Sequence, residues 1–122
     1  MPKIDSQMAD VRVPTKATLA KYGLTRRDWL LICERQSWEC PICREPFGER
    51  ALAVDHAHVA GFRARKVKKG RKVRVMGPAE RKAHVRGVLH AWCNRFVRAW
   101  LTFDRAEAIL EYLKAYERRR KA

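Results

Sequence analysis

Two short stretches, far apart in the chain, constrain its folding more than anything else in it: Cys40-Pro41-Ile42-Cys43 and His90-Ala91-Trp92-Cys93. Each offers two soft or borderline ligands separated by two residues, a spacing that lets both reach one tetrahedral metal from a tight turn or a first helical turn. Together they supply three thiolates and one imidazole, the ligand set of a closed structural zinc site. Pro41 fixes φ and removes a donor, which suits a knuckle and argues against a helix interior. Two unrelated reduced thiol pairs, or a redox disulfide, are the alternatives. No thioredoxin-like βαβ pattern surrounds the pair, which weighs against the redox reading. The sequence thus predicts a zinc ion held by Cys40, Cys43, His90 and Cys93 at the ends of a hairpin. Cys33 lies with Trp29 and Ile32 on one apolar helix face and reads as a small core residue, not a ligand.

The chain has 122 residues and a mass of 14.3 kDa, enough for one domain with a modest core. It carries 28 Lys and Arg against 13 Asp and Glu, a formal net charge of +15. A field of that sign favours a polyanion, with nucleic acid first; a basic surface with no ligand is the bland alternative. The first 16 residues contain no apolar signal-peptide core, and no run approaches the ~18 to 20 apolar residues of a membrane span. The expectation is a protein of the bacterial or phage-infected host cytoplasm, neither secreted nor membrane-bound, with reduced thiols.

Taken in order, residues 1–14 read as a loose N-terminal arm and 15–118 as a single domain. Thr15 caps a short helix over Lys16 to Tyr22, stopped by Gly23. Thr25 with Asp28 opens a second helix as a capping-box variant. After the knuckle and a turn at Glu45-Pro46-Phe47-Gly48, residues 51–56 read as a strand. On it His56 and His58 share a face while Asp55 points the other way. Residues 62–84 form a basic loop insertion. Within it Arg63, Arg65, Lys66, Lys68, Lys69, Arg71, Lys72 and Arg74 surround a turn at Gly70, as in a cationic hairpin or flap. So many like charges repel one another unless phosphates neutralise them, and these residues are assigned to DNA contact. Arg86 is either a surface charge or a further phosphate contact. Val85 to Leu89 reads as a second strand and Ala91 to Leu101 as a helix. Trp92, Phe96 and Trp100 recur along that helix, with both tryptophans expected in the core and base stacking as the secondary reading. Asp104 caps a last helix over Arg105 to Arg118, striped by Ala106, Ile109, Leu110, Leu113 and Tyr116. Residues 119–122 form a basic tail. The fold class is α+β: a small two-stranded hairpin plus helix, stapled by zinc and flanked by helices.

At this point the residues resemble a known family. Tyr22-Gly23-Leu24-Thr25, Cys40-x-x-Cys43, Val54-Asp55-His56-x-His58, Val85-Arg86-Gly87-Val88-Leu89 and Cys93-Asn94-Arg95 are similar to the recombination endonuclease VII branch of the HNH nucleases. These are typically phage-encoded and built on a ββα-metal core. The resemblance runs in order from residue 22 to 113, including Tyr112-Leu113. It implies a metal-dependent DNA endonuclease in which Asp55 and Asn94 hold one catalytic Mg²⁺ or Mn²⁺. It makes His56 the general base, while His58 orients or stabilises the phosphate. The family usually has cysteine at the position of His90 and an acidic residue at Ala57, and its link between the strands is shorter and less basic.

Two other function classes stand beside this one. A non-catalytic zinc-ribbon DNA-binding module would share the knuckle and the charge, and a zinc-stabilised protein–protein adaptor would share only the knuckle. Among nucleases, four-way (Holliday) junctions, nicks, mismatches and packaged phage DNA are all open targets. Junction resolution needs two active sites and hence a homodimer, with phage packaging or recombination proteins as further partners.

Overall fold

The computed structural model describes residues 10–62 and 75–121. The cationic segment Arg63 to Arg74, with its expected turn at Gly70, lies outside the described residues, as does most of the N-terminal arm. Thr15 caps α1 (Lys16–Ala20) by accepting the Thr18 backbone N–H. A Schellman turn ends the helix, with Leu24 N–H on the Leu19 carbonyl and Gly23 N–H on the Ala20 carbonyl. Gly23 takes φ +71°, and a Cβ there would collide with the Pro78 carbonyl oxygen. Both facts require glycine.

The expected capping box opens α2 (Arg26–Arg35). Asp28 N–H donates to Thr25 Oγ1 at 3.1 Å, and Thr25 N–H donates to Asp28 Oδ2 at 2.9 Å. A second Schellman turn closes this helix, with Trp38 N–H on Cys33 C=O and Ser37 N–H on Glu34 C=O, both 2.9 Å. Trp29 and Cys33 are fully buried, and Trp29 meets Trp38 edge-on at 6.1 Å. Cys33 is thus the core residue expected. Burial pushes its thiol up to about 12.

The sheet is one antiparallel pair, β1 (Leu52–His56) and β2 (Val85–His90), running from Leu52↔His90 to Asp55↔Gly87. Then the register slips: His56 faces Val85, and Arg86 has no partner in the ladder. This is a β-bulge. From α2, the Gln36 amide docks on the edge of β2 like a short piece of strand. It accepts Val88 N–H at 2.9 Å and donates to Val88 C=O at 2.7 Å. A Cβ at Gly87 would meet Gln36 Oε1 at 2.6 Å, so glycine admits this contact.

Three sequence expectations need correction. The insertion is not loop to its end: α3 (Pro78–Ala83) lies in it, with Gly77 as N-cap and proline in the first turn. Arg81 ties α3 down by donating to Met76 C=O at 2.7 Å and Ala20 C=O at 3.3 Å. The helix expected over 91–101 is a single turn, α4 (Ala91–Asn94), followed by turns. Trp92 and Trp100 are exposed, not core. The inward side is taken by Cys93 and half-buried Val97, one helical step away from the aromatic row. Finally, α5 (Phe103–Lys121) begins earlier and runs into the supposed tail. Its first turn is closed by Thr102 Oγ1, which accepts Arg105 N–H at 3.2 Å, where Asp104 was expected as cap. All the stripe residues of α5 are exposed. Among the described residues no helix is long and apolar enough to cross a membrane.

Candidate metal centre and active site

The knuckle is a tight reversal. Cys40 N–H bonds to Glu45 C=O at 3.0 Å, Arg44 N–H bonds to Cys40 C=O at 2.8 Å, and Arg44 takes φ +62°. This brings Cys40 and Cys43 against His90, the last residue of β2, and Cys93 in α4. The ligand atoms of all four lie within 4.8 Å of one another. The edges of a zinc–thiolate tetrahedron are about 3.8 Å, so little movement is needed to close on an ion. His90 is oriented for that task. Its Nε2 sits 3.1 Å from Phe47 C=O and must donate there, which leaves Nδ1 unprotonated, 3.2 Å from Cys43 Sγ. A fixed outer hydrogen bond of this kind sets the tautomer of a ligating imidazole.

The thiols respond to the crowding in opposite directions. Burial alone would raise Cys40, but backbone N–H groups of Cys43, His90 and Ile42 outweigh it and hold the thiol below its ordinary value. Burial, then the neighbouring Cys40 and Cys43, push Cys93 up to about 11. Three thiols so close give up their protons together only around a cation. The four residues could hold a zinc ion.

Asp55, His56, His58 and Asn94 line one cavity of about 180 Å³ with Tyr22, Val54, Arg95 and Arg98. Consecutive residues Val54, Asp55 and His56 of β1 all border this cavity, where the strand ends beside the bulge. His56 is buried and fixed on two sides. Its ring stacks flat on Phe62 at 3.9 Å, and its Nδ1 donates to Ala57 C=O at 3.0 Å. The basic nitrogen is therefore Nε2. His58 lies 5.1 Å from the His56 ring and is exposed. Asn94 follows Cys93 directly, so the knuckle fixes its backbone.

Arg86, the bulged residue, turns its guanidinium onto Asp55. Nε donates to Oδ2 at 2.7 Å and Nη2 to Oδ1 at 2.9 Å, while Nη2 also reaches Val97 C=O at 3.1 Å. Sequence reasoning had it on DNA or simply in solvent and missed this pairing. Nothing in an alternating strand signals a bulge. Phe62 and Tyr22 were missed too, though Tyr22 heads one of the motifs that carried the resemblance. Arg63, Arg65, Lys66, Lys68, Lys69, Arg71, Lys72 and Arg74 fall outside the described residues. The base of their segment is visible, where Met76 N–H bonds to Gly61 C=O at 2.9 Å, next to the Phe62 that stacks on His56.

A two-stranded hairpin and a one-turn helix joined by a Cys₃His knuckle, with Asp, His and Asn around a cavity on the same hairpin, define a small ββα unit with a metal-type staple. The chain belongs to the recombination endonuclease VII family, which it matches over residues 15–115. It is also 28% identical over 99 residues to the Gene 59 protein of Mycobacterium phage D29. That alignment covers 79% of this chain and 47% of the phage protein, so the chain spans about half the length of this relative. No solved structure matches.

Proposed function

We propose that the chain is a metal-dependent DNA endonuclease of the HNH type, working at the Asp55–His56–Asn94 cavity. The observation that carries this reading is His56: a buried imidazole with its tautomer set by Ala57 and its plane set by Phe62, beside a carboxylate and an amide. The donor set fits one hard cation. Asp55 spends one lone pair of each oxygen on Arg86 and keeps the others for the cavity, and Asn94 adds an amide oxygen. One carboxylate and one amide suit Mg²⁺ or Mn²⁺, which keep several waters. Such an ion would offset the charge developing on the leaving 3′ oxygen.

His56 Nε2 takes a proton from a water, whose oxygen attacks phosphorus in line as the bond to the 3′ oxygen breaks, leaving a 5′ phosphate. His58, Arg95 and Arg98 hold the phosphate. The cationic residues between Arg63 and Arg74 neutralise phosphates of the flanking backbone. The apolar, exposed stripe of α5 supports a homodimer, and two active sites are what a branched DNA substrate such as a four-way junction calls for.

Single-turnover cleavage across a Mg²⁺ and Mn²⁺ titration tests the reading, with DNA binding measured separately in Ca²⁺. His56→Ala should lower the rate by roughly 10² to 10⁴ and leave affinity within a few-fold, because a base acts on the transition state. Asn94→Ala should recover in part with excess Mn²⁺. Cleavage by His56→Ala at the wild-type rate would remove His56 as the base, whereas DNA binding by wild type without cleavage in either metal would favour the non-catalytic DNA-binding module.

A further inference from the structure

From Trp92 in α4, through the turns after Asn94, to Phe103 at the start of α5, the chain sets four aromatic rings in the open. Trp92 is 58% exposed, Phe96 59%, Trp100 62% and Phe103 95%. Arginines are interleaved with them. The Arg95 guanidinium lies 4.5 Å above the Trp92 ring, and that of Arg105 lies 4.8 Å above Trp100. Trp92 and Phe96 meet edge to face at 6.1 Å. Two residues bind this row to the site, because Arg95 and Arg98 also line the cavity with Asn94.

We infer that residues 92–103 form a stacking platform for unpaired bases of the DNA next to the bond that is cut. This rests on the endonuclease reading and adds to it a surface on this chain, outside the cavity, that takes unpaired bases. Flat aromatic faces with arginines between them match the chemistry of single strands, in which bases stack on rings and guanidinium groups take the phosphates. A continuous duplex keeps its bases stacked on each other, and pulling one out costs a few kcal/mol. A substrate with unpaired bases avoids that cost.

A second copy of the chain is a poorer occupant. A two-fold interface sets a patch against itself, and here Arg95, Arg98 and Arg105 would face their own copies. The stripe of α5, with Ile109, Leu110 and Leu113, has the aliphatic character that a protein interface prefers. Along 92–103 the large exposed apolar side chains are aromatic instead.

The test uses the full chain in Ca²⁺ with two DNAs of one sequence, a continuous duplex and a fork whose unpaired bases carry 2-aminopurine. Wild type should bind the fork more tightly and quench the fluorophore. Trp92→Ala and Trp100→Ala should each lose roughly tenfold on the fork, lose the quench, and stay within about twofold on duplex. Trp92→Phe and Trp100→Phe should retain most of the fork affinity. Both tryptophans are exposed, so folding is preserved, and zinc content checks this. Equal losses on both DNAs, no loss on either, or a change of oligomeric state in sedimentation would overturn the platform. Wild type that cleaves without preferring the fork would also overturn it and leave the endonuclease reading standing. Wild type that neither binds nor cuts any DNA ends both.

Discussion

Arg86 illustrates how one residue can organise a site without touching its chemistry. The bulge exists because β2 has one residue more than β1 can pair with, and the surplus residue is the one that grips Asp55. The Asp55 side chain is only 10% exposed and that of Arg86 45%, so the carboxylate depends on the pair more than the guanidinium does. Arg86→Gln keeps a donor but loses the charge and the fork. It should weaken Mn²⁺ binding about 10-fold or more, since groups that hold a ligating carboxylate matter nearly as much as the ligand. Arg86→Lys restores the charge without the bidentate geometry and should recover only part of the loss. Titration calorimetry with Mn²⁺ reads this directly, without DNA. Unchanged Mn²⁺ affinity in Arg86→Gln would show that the pair serves only to hold the strands.

At the scale of elements, Asp28 links α2 to α3. The Thr25 backbone N–H, then Lys82 at 2.9 Å, hold its carboxyl well below the usual range, at about 2 against an ordinary 3.8. A folded-state value below the unfolded one stabilises the fold above about pH 4, and that contribution is lost as pH falls through about 2. Asp28→Asn should therefore cost about 1 kcal/mol at neutral pH, and the gap from wild type should close between pH 4 and 2. Thermal melts across that range check it.

This helix start was legible because a capping box is local: Thr25 and Asp28 announce it in four residues. The knuckle was legible for the same reason twice over, and with it the class of fold. α3 was not, since Gly77-Pro78 reads equally well as a stop and as the N-cap and first residue of a helix. The row Trp92, Phe96 and Trp100 misled, because four-residue spacing says which side chains share a face and not which way that face looks. Cys93, pulled inward by the knuckle, decides that. The bulge left no local mark at all, and neither did the shared cavity of Asp55 and His56.

Across the whole molecule, a zinc ion held by Cys40, Cys43, His90 and Cys93 would join the end of α2, β2 and α4 at one point. Cys40 and Cys43 follow α2, His90 ends β2 and Cys93 belongs to α4, while the core between them is small. A structural zinc site is worth about 10 to 16 kcal/mol in small peptides, as much as the entire stability of a typical domain. Purified protein should contain one zinc per chain by elemental analysis, and a strong chelator should unfold it cooperatively. Cys40→Ser and Cys93→Ser should fail to fold without rescue by the other residues. A zinc-free protein with an unchanged melting temperature would refute the staple.

The Gln36 amide has a consequence of another kind. A sheet of only two strands has two open edges, and each open edge invites any passing strand to continue it. By filling both hydrogen-bonding groups of Val88 from a helix, Gln36 closes off the midpoint of one edge with a side chain that cannot itself be extended. With Val88 occupied, a passing strand would find its pairing interrupted at the middle of that edge.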